Sequence, residues 1–277
     1  MDAGKDTFEA ASIRFARANK KLEEILEADT TLDILTDNLS VELHKIGEEN
    51  FSDYMKVFKK GFKDFGATLT GRVKDTSSIR SKLEKRLDRV FDNADIPSVV
   101  PDLYGYRLVS DGTPESMEKI VKNIEKLVDD GELIPSHFIS HGRDEYLEPG
   151  QIERLVKKGF FHSKNAERHN GFTGVNMYFR DKHNLSTLEL QLKGKKTDML
   201  GEKEHLFYNF KTKGVASERG IVNEKMQKIF ESLTSEQIDA YNKYVDEAYG
   251  YTRSLERGIQ AEKPVLPNGL DKSLKLA

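Results

Sequence analysis

The chain has 277 residues, 37% hydrophobic and 33% charged, with a formal net charge of −3 at pH 7 and no cysteine. That length and apolar share can bury a real core and exclude a disordered chain. The charge balance argues against a nucleic-acid coat protein but leaves room for a local basic groove, and the lack of cysteine excludes disulfides and zinc–thiolate sites.

No apolar run approaches the roughly 20 residues of a membrane span. The start, MDAGKDTFEAAS, holds no apolar signal segment. The expectation is a soluble, cytoplasmic protein with no membrane partner.

The first ~70 residues read as helical, with Phe51, Tyr54, Met55, Phe58 and Phe62 at helical intervals and no strand alternation. Residues 76–91 form an amphipathic helix whose inner face carries Ile79, Leu83, Leu87, Val90 and Phe91. Leu103–Val109 is short, aromatic and apolar, and suits a buried strand. Thr113-Pro114 supplies an N-cap and a first-turn proline for a helix buried along Met117, Ile120, Val121, Ile124, Leu127 and Val128. Ile134–Ile139 reads as a strand and Glu148–Lys157 as a short helix. Val175–Phe179 and Thr187–Leu192 read as strands, the second by strict alternation. After Thr197 the chain is helical again, with a capping box from Thr234 to Gln237. From about Glu262 it reads as a tail or interaction arm. Strands interleaved with helices define an α/β (α+β) core.

Four groups of residues carry chemistry. Arg72, Lys74, Ser78 and Lys82 bracket a helix start, where free N–H groups and the positive dipole end suit a phosphate. Asp102, Gly105 and Arg107 stand at the mouth of the first strand, where a carboxylate suits Mg²⁺. Asp102 either precedes the regular strand or Gly105 breaks its pleat. In LELQLKG the leucines face one way and Thr187, Glu189 and Gln191 the other. If that side opens on Asp102, two carboxylates flank one metal site, one holding Mg²⁺ while the other helps to activate a hydroxyl. NGFTGVN presents Phe172 after a glycine turn, suited to stacking on a base. Taken singly, these segments are equally solvated faces, a turn aspartate and a core phenylalanine. His137 and His141 lie in a strand-like run, and no zinc site is read from them.

Together and in order, RVKDTSSIRSK (72–82), DLYGYR (102–107), NGFTGVN (170–176), LELQ (188–191) and EHLFYNFK (204–211) resemble the synthetase domain of the RelA/SpoT family. The resemblance spans residues 55–215, with a helical extension at 1–54 and a helical extension and tail at 216–277. It implies a nucleotidyltransferase-like mixed sheet flanked by helices. It also implies transfer of the β,γ-pyrophosphate of ATP to a ribose 3′-hydroxyl, with Mg²⁺ as cofactor. By position, Arg72 and Arg107 match the arginines that sandwich adenine. Lys74, Ser78 and Lys82 match the residues on the ATP phosphates. Asp102 matches the magnesium-binding aspartate, Glu189 the second catalytic and metal-binding carboxylate, and Gln191 its catalytic neighbour. On the acceptor side, Phe172 matches the tyrosine that stacks on guanine, and His205 a histidine of the small synthetases' closing helix.

The departures cluster on the acceptor side. Phe172 replaces tyrosine, Asn176 replaces histidine, and Lys193-Gly194 replaces arginine-threonine. The donor is therefore better specified than the acceptor. No hydrolase signature accompanies the motifs, which suggests a stand-alone small synthetase.

Three functions follow: an alarmone synthetase acting on guanine or adenine nucleotides, a toxin that pyrophosphorylates the 3′ end of tRNA, and a non-catalytic nucleotide-binding module. The toxin reading draws on Lys193, Lys195, Lys196, Lys211 and Lys213 as a phosphate-binding edge, and it implies a neutralising antitoxin partner. The family also includes homo-oligomers.

Overall fold

A computed structural model describes residues 20–21, 24–25, 31–86, 100, 102–141, 146–163, 174–180, 187–218 and 221–276. Helix α1 (Leu32–Gly61) leads into β1 (Thr68–Val73), α2 (Thr76–Glu84), β2 (Tyr104–Ser110) and α3 (Pro114–Asp129). Next come β3 (Ile134–His141), α4 (Pro149–Lys157), β4 (Phe161–Ser163), β5 (Gly174–Arg180) and β6 (Thr187–Gly194). Helix α5 (Lys195–Lys213), a two-strand hairpin β7 (Ser217–Glu218) and β8 (Ile221–Val222), α6 (Glu224–Glu231), α7 (Ser235–Glu256) and a short 3-10 helix (Lys272–Leu274) complete the order.

The six-stranded sheet runs β1-β2-β6-β5-β3-β4. It is mixed: β2 and β6 are parallel, as are β3 and β4, and the other neighbours are antiparallel. A mixed sheet flanked by helices is what the sequence leads one to expect. One face is the core. Tyr104, Tyr106 and Leu108 of β2, Leu188, Leu190 and Leu192 of β6, Met177 and Phe179 of β5 and Phe138 of β3 point into it. They pack with Leu39, Leu43 and Phe58 of α1, Ile120 and Ile124 of α3, and Leu155 of α4. Period-two burial on the strands and a 3.6-residue stripe on the helices bring these side chains together.

Helix α1 approaches the sheet closely because of two glycines. A Cβ on Gly71 would lie 2.8 Å from both the Phe51 and Tyr106 rings, and one on Gly47 would lie 2.9 Å from Val73 Cγ1. The Phe51 and Tyr106 rings are parallel, 5.1 Å apart. The Tyr106 hydroxyl donates to the Phe51 carbonyl at 2.7 Å.

Several expectations need correction. Strand β1 lies within and just beyond a stretch read as helical. Its burial alternates poorly because it is an edge strand with only Leu69 and Val73 half-buried. The helix expected over 76–91 is described to Glu84, and Leu87, Val90 and Phe91 lie outside the described residues. Helix α1 runs unbroken across residues 54 and 55, where the sequence reading places a domain boundary. The short strand β4 and the β7–β8 hairpin carry too few residues for a visible pattern.

The C-terminal segment is a docked strap and not a free tail. Leu270, Leu274 and Leu276 are buried in a second core with Leu200 and Phe207 of α5, Phe230 of α6 and Tyr241, Tyr244 and Val245 of α7. The Tyr241 hydroxyl donates to the Leu274 carbonyl at 3.2 Å, and the Leu276 amide donates to the Tyr244 hydroxyl at 2.9 Å. Among the described residues no helix is long and apolar enough to cross a membrane.

Candidate active site

The second face of the sheet is polar. Strand register aligns Arg72 with Gly105, Gly105 with Glu189, and Glu189 with Tyr178. The same register aligns Arg107 with Gln191, and Gln191 with Asn176. Asp102 precedes the strand, which begins at Tyr104, so Gly105 does not break the pleat.

Asp102 is held by two cations. Lys74 Nζ lies 2.8 Å from its Oδ2, and Lys82 Nζ lies 2.5 Å from each carboxylate oxygen. Burial pushes the Asp102 carboxyl up, but Lys74 and Lys82 outweigh it and hold it below the ordinary range. Burial draws the Lys82 ammonium down, and Asp102 only partly restores it. The local cause is topological: Lys74 follows β1, Lys82 lies on α2, and the Lys74 amide donates to the Leu103 carbonyl at 2.7 Å.

Ser78 is placed differently from expectation. Asp75 caps α2, accepting from Ser78 N at 2.8 Å, Ser78 Oγ at 3.0 Å and Ser77 Oγ at 2.6 Å. These bonds, Ser77 first and against some burial, hold the Asp75 carboxyl at about 2. The helix end expected to face a phosphate therefore already faces the chain's own carboxylate.

Glu189 accepts from Asn176 Nδ2 and Tyr178 OH, both at 2.9 Å on Oε1, and from Gln191 Nε2 at 3.2 Å on Oε2. A carboxylate with three donors, half-exposed on a sheet face, has fixed orientation and lone pairs to spare. Gly105 lies beside it on the neighbouring strand, where a Cβ would sit at an ordinary contact distance of 3.7 Å from Glu189 Oε2.

Helix α5 closes the β2 side. Arg107 Nη1 lies 2.5 Å from Glu202 Oε1 and 3.2 Å from Asp198 Oδ1. Lys193 is buried, 3.5 Å from the same Asp198 oxygen. Burial, then the nearby Arg107 charge, pulls its ammonium below the ordinary range. Lys193 is thus a partner of α5 and not part of an exposed lysine edge. His205 lies on the exposed side of α5, with Asn209 Nδ2 3.3 Å from its Nδ1 and its ring over Tyr208. These contacts lie within α5 and not at Glu189. Arg72 is exposed on β1, and Phe172 lies outside the described residues.

The structure therefore brings together Lys74, Lys82 and Asp102 as one group, and Asn176, Glu189 and Gln191 as another. Sequence reasoning missed Tyr178, Asp75, Asp198 and Glu202. The i, i+4 spacing of Asp198 and Glu202 was the available signal for the last two.

No family model matches the chain, and no curated protein matches it. Among solved structures it is similar to the small alarmone synthetase 1 from Bacillus subtilis bound to its product pppGpp. That match has 15% identity and a TM-score of 0.43, and covers 77% of this chain and 89% of that one. It is also similar to a GTP pyrophosphokinase family protein from Streptococcus pneumoniae, at 16% identity and a TM-score of 0.37, covering 76% of this chain and 91% of that one. Likeness this slight carries no function, which rests on the chain's own residues.

Proposed function

We propose that the chain is a pyrophosphotransferase, moving the β,γ-pyrophosphate of ATP to the 3′-hydroxyl of an acceptor nucleotide. The observation that carries this reading is Asp102 between Lys74 and Lys82, beside a sheet face on which Glu189 is fixed by three donors. Transfer of this kind needs little covalent help from protein. Positioning and charge neutralisation dominate.

In this reading Lys74 and Lys82 exchange Asp102 for phosphate oxygens. The acceptor oxygen attacks the β-phosphorus, the bond from that phosphorus to the α–β bridging oxygen breaks, and AMP departs. The hydroxyl proton passes to Glu189, which Asn176, Tyr178 and Gln191 keep aimed. Arg107 is free to meet the adenine once Asp198 and Glu202 release it.

No group of three acidic or imidazole side chains suited to a metal exists among the described residues. Mg²⁺ is commonly held by one or two carboxylates plus substrate phosphates. Asp102, once Lys74 and Lys82 turn to the phosphates, would hold an ion that arrives with its triphosphate; Glu189, the expected second ligand, stands in the separate group with Asn176 and Gln191. When bound, magnesium would neutralise charge on the phosphates.

The acceptor separates the finer readings. The test supplies γ-labelled ATP and Mg²⁺ with guanine nucleotides, adenine nucleotides and deacylated tRNA in parallel, using Glu189→Gln as control. Label on a mononucleotide makes the chain an alarmone synthetase. Label on tRNA alone makes it a translation-blocking toxin and directs the search to an antitoxin. No label on any acceptor removes the pyrophosphotransferase reading and favours a nucleotide-binding module.

A further inference from the structure

Lys74 stands at a break in the backbone ladder. Strand β1 stops pairing at Val73, and α2 is capped by Asp75. A residue between a strand and a helix start has an amide and a carbonyl that neither element bonds, and such groups need partners away from water. The Lys74 amide donates to the Leu103 carbonyl. Its carbonyl needs a donor from elsewhere. The amide four residues on, Ser78 N, which would serve it in a continued helix, is taken by the Asp75 side chain.

Helix α1 supplies that donor. His44 Nδ1 lies 2.8 Å from the Lys74 carbonyl oxygen. A carbonyl only accepts, so Nδ1 carries the proton. Gly47, one turn on and on the same face of α1, lets the helix come this close. A Cβ there would lie 2.9 Å from Val73 Cγ1 and 3.6 Å from the Leu103 carbonyl oxygen. One face of α1 thus meets the end of β1 and Leu103 together.

The Lys74 main chain is therefore fixed on both sides. Leu103, the residue after Asp102, holds its amide, and α1 holds its carbonyl. From that set point the ammonium reaches Asp102 Oδ2 at 2.8 Å. An ammonium on a flexible four-carbon stem is well placed only if the main chain beneath it is still.

We propose that His44 is a positioning residue of the donor site, holding the Lys74 carbonyl so that the Lys74 ammonium meets the triphosphate of ATP. The triphosphate rests on the pyrophosphotransfer reading; the clamp on Lys74 does not. It makes α1 part of the site, although His44 lies upstream of the segment that resembles the RelA/SpoT synthetase domain.

Two substitutions separate the bond from the bulk. His44→Leu removes the donor. His44→Asn returns an N–H the same number of bonds from the main chain as Nδ1, on a side chain shaped like leucine's. The full chain is titrated by calorimetry with a non-hydrolysable ATP analogue and Mg²⁺. Amide hydrogen exchange at Lys74 is followed by mass spectrometry without nucleotide. His44→Leu should bind the analogue about 3–10-fold more weakly, the worth of one hydrogen bond, and should exchange faster at Lys74. His44→Asn should recover most of both. Where the wild-type chain binds the analogue, affinity decides: no change in His44→Leu, or equal weakening in both variants, overturns the proposal, because a merely structural histidine gives one of these. If the wild-type chain binds no analogue, the pyrophosphotransfer reading fails and exchange decides the clamp alone. Faster exchange in His44→Leu that His44→Asn reverses upholds it, and any other exchange result overturns it.

Discussion

Asp102 faces two ammonium groups, and that imbalance of charge defines the site. One carboxylate between Lys74 and Lys82 leaves net positive charge for a polyphosphate. Lys82→Met keeps the stem and removes the charge, while Asp102 retains Lys74 at 2.8 Å. A hydrogen bond to a charged group contributes ~1.5–3 kcal/mol, so the ATP KM should rise about 10–100-fold. The acceptor KM should stay within about twofold in the same steady-state assay, since an acceptor effect would place Lys82 on the wrong substrate. The Lys74–Asp102–Lys82 cluster was legible because cations and an acid are chemically distinctive even in a short motif. Asp75 was not. Within RVKDTSSIRSK it reads as one more charged residue, and only the folded helix start shows that it caps Ser78 and so competes with any phosphate there.

Elements were legible where a period was long enough to see. Helix α3 and strand β6 match their patterns because one face of each is wholly apolar and the other polar. Strand β1 escaped because an edge strand buries little, and its Gly71 reads as a breaker. In the structure that glycine is a contact point between α1 and the sheet. Gly71→Ala would force a Cβ to 2.8 Å from the Phe51 and Tyr106 rings. Overpacking of this kind costs about 1–3 kcal/mol. At ~2–4 °C per kcal/mol for a chain of this size, the melting temperature should fall by roughly 2–12 °C. Thermal unfolding followed by circular dichroism measures this, and an unchanged melting temperature would mean that α1 does not sit as close to β1 as described. The polar face was legible in outline only. Strict alternation gave Glu189 and Gln191 a shared side, but no single-sequence pattern shows which strands are neighbours, so Tyr178 could not be joined to Glu189.

The C-terminal helices do more than extend the molecule, because they carry buried acids that reach back toward the sheet. Burial pushes Glu204 of α5 up to about 8, against a smaller opposing pull from Lys211 and Lys193. Below an ordinary carboxyl value of 4.5 it is protonated in both states; from there to about 8 folding takes up a proton, so stability falls as pH rises. The loss is on the order of 5 kcal/mol across that window. Urea unfolding at pH 5, 6.5 and 8 should show a shallower decline for Glu204→Gln. Glu256 at the end of α7 binds the two halves together. Its carboxylate accepts from Thr197 N and Thr197 Oγ1, both at 2.8 Å, at the first turn of α5, while Arg253 stacks on Tyr146 and donates to the Gly112 carbonyl at 2.8 Å. Because α5 also carries Asp198 and Glu202, this seat fixes the partners of Arg107. Glu256→Ala would leave the Thr197 amide and a buried guanidinium without their acid, a loss of about 3–5 kcal/mol. The melting temperature should drop roughly 6–20 °C at ~2–4 °C per kcal/mol, and the ATP KM should change because Arg107 is no longer held. Gly194→Ala tests the same seat from the opposite side, since a Cβ there would lie 2.2 Å from both Glu256 oxygens and must displace them. The two variants should therefore resemble each other in both measurements. A Gly194→Ala protein that melts and turns over like wild type would show that Glu256 is not seated between β6 and α5, and that the end of α7 leaves the site alone.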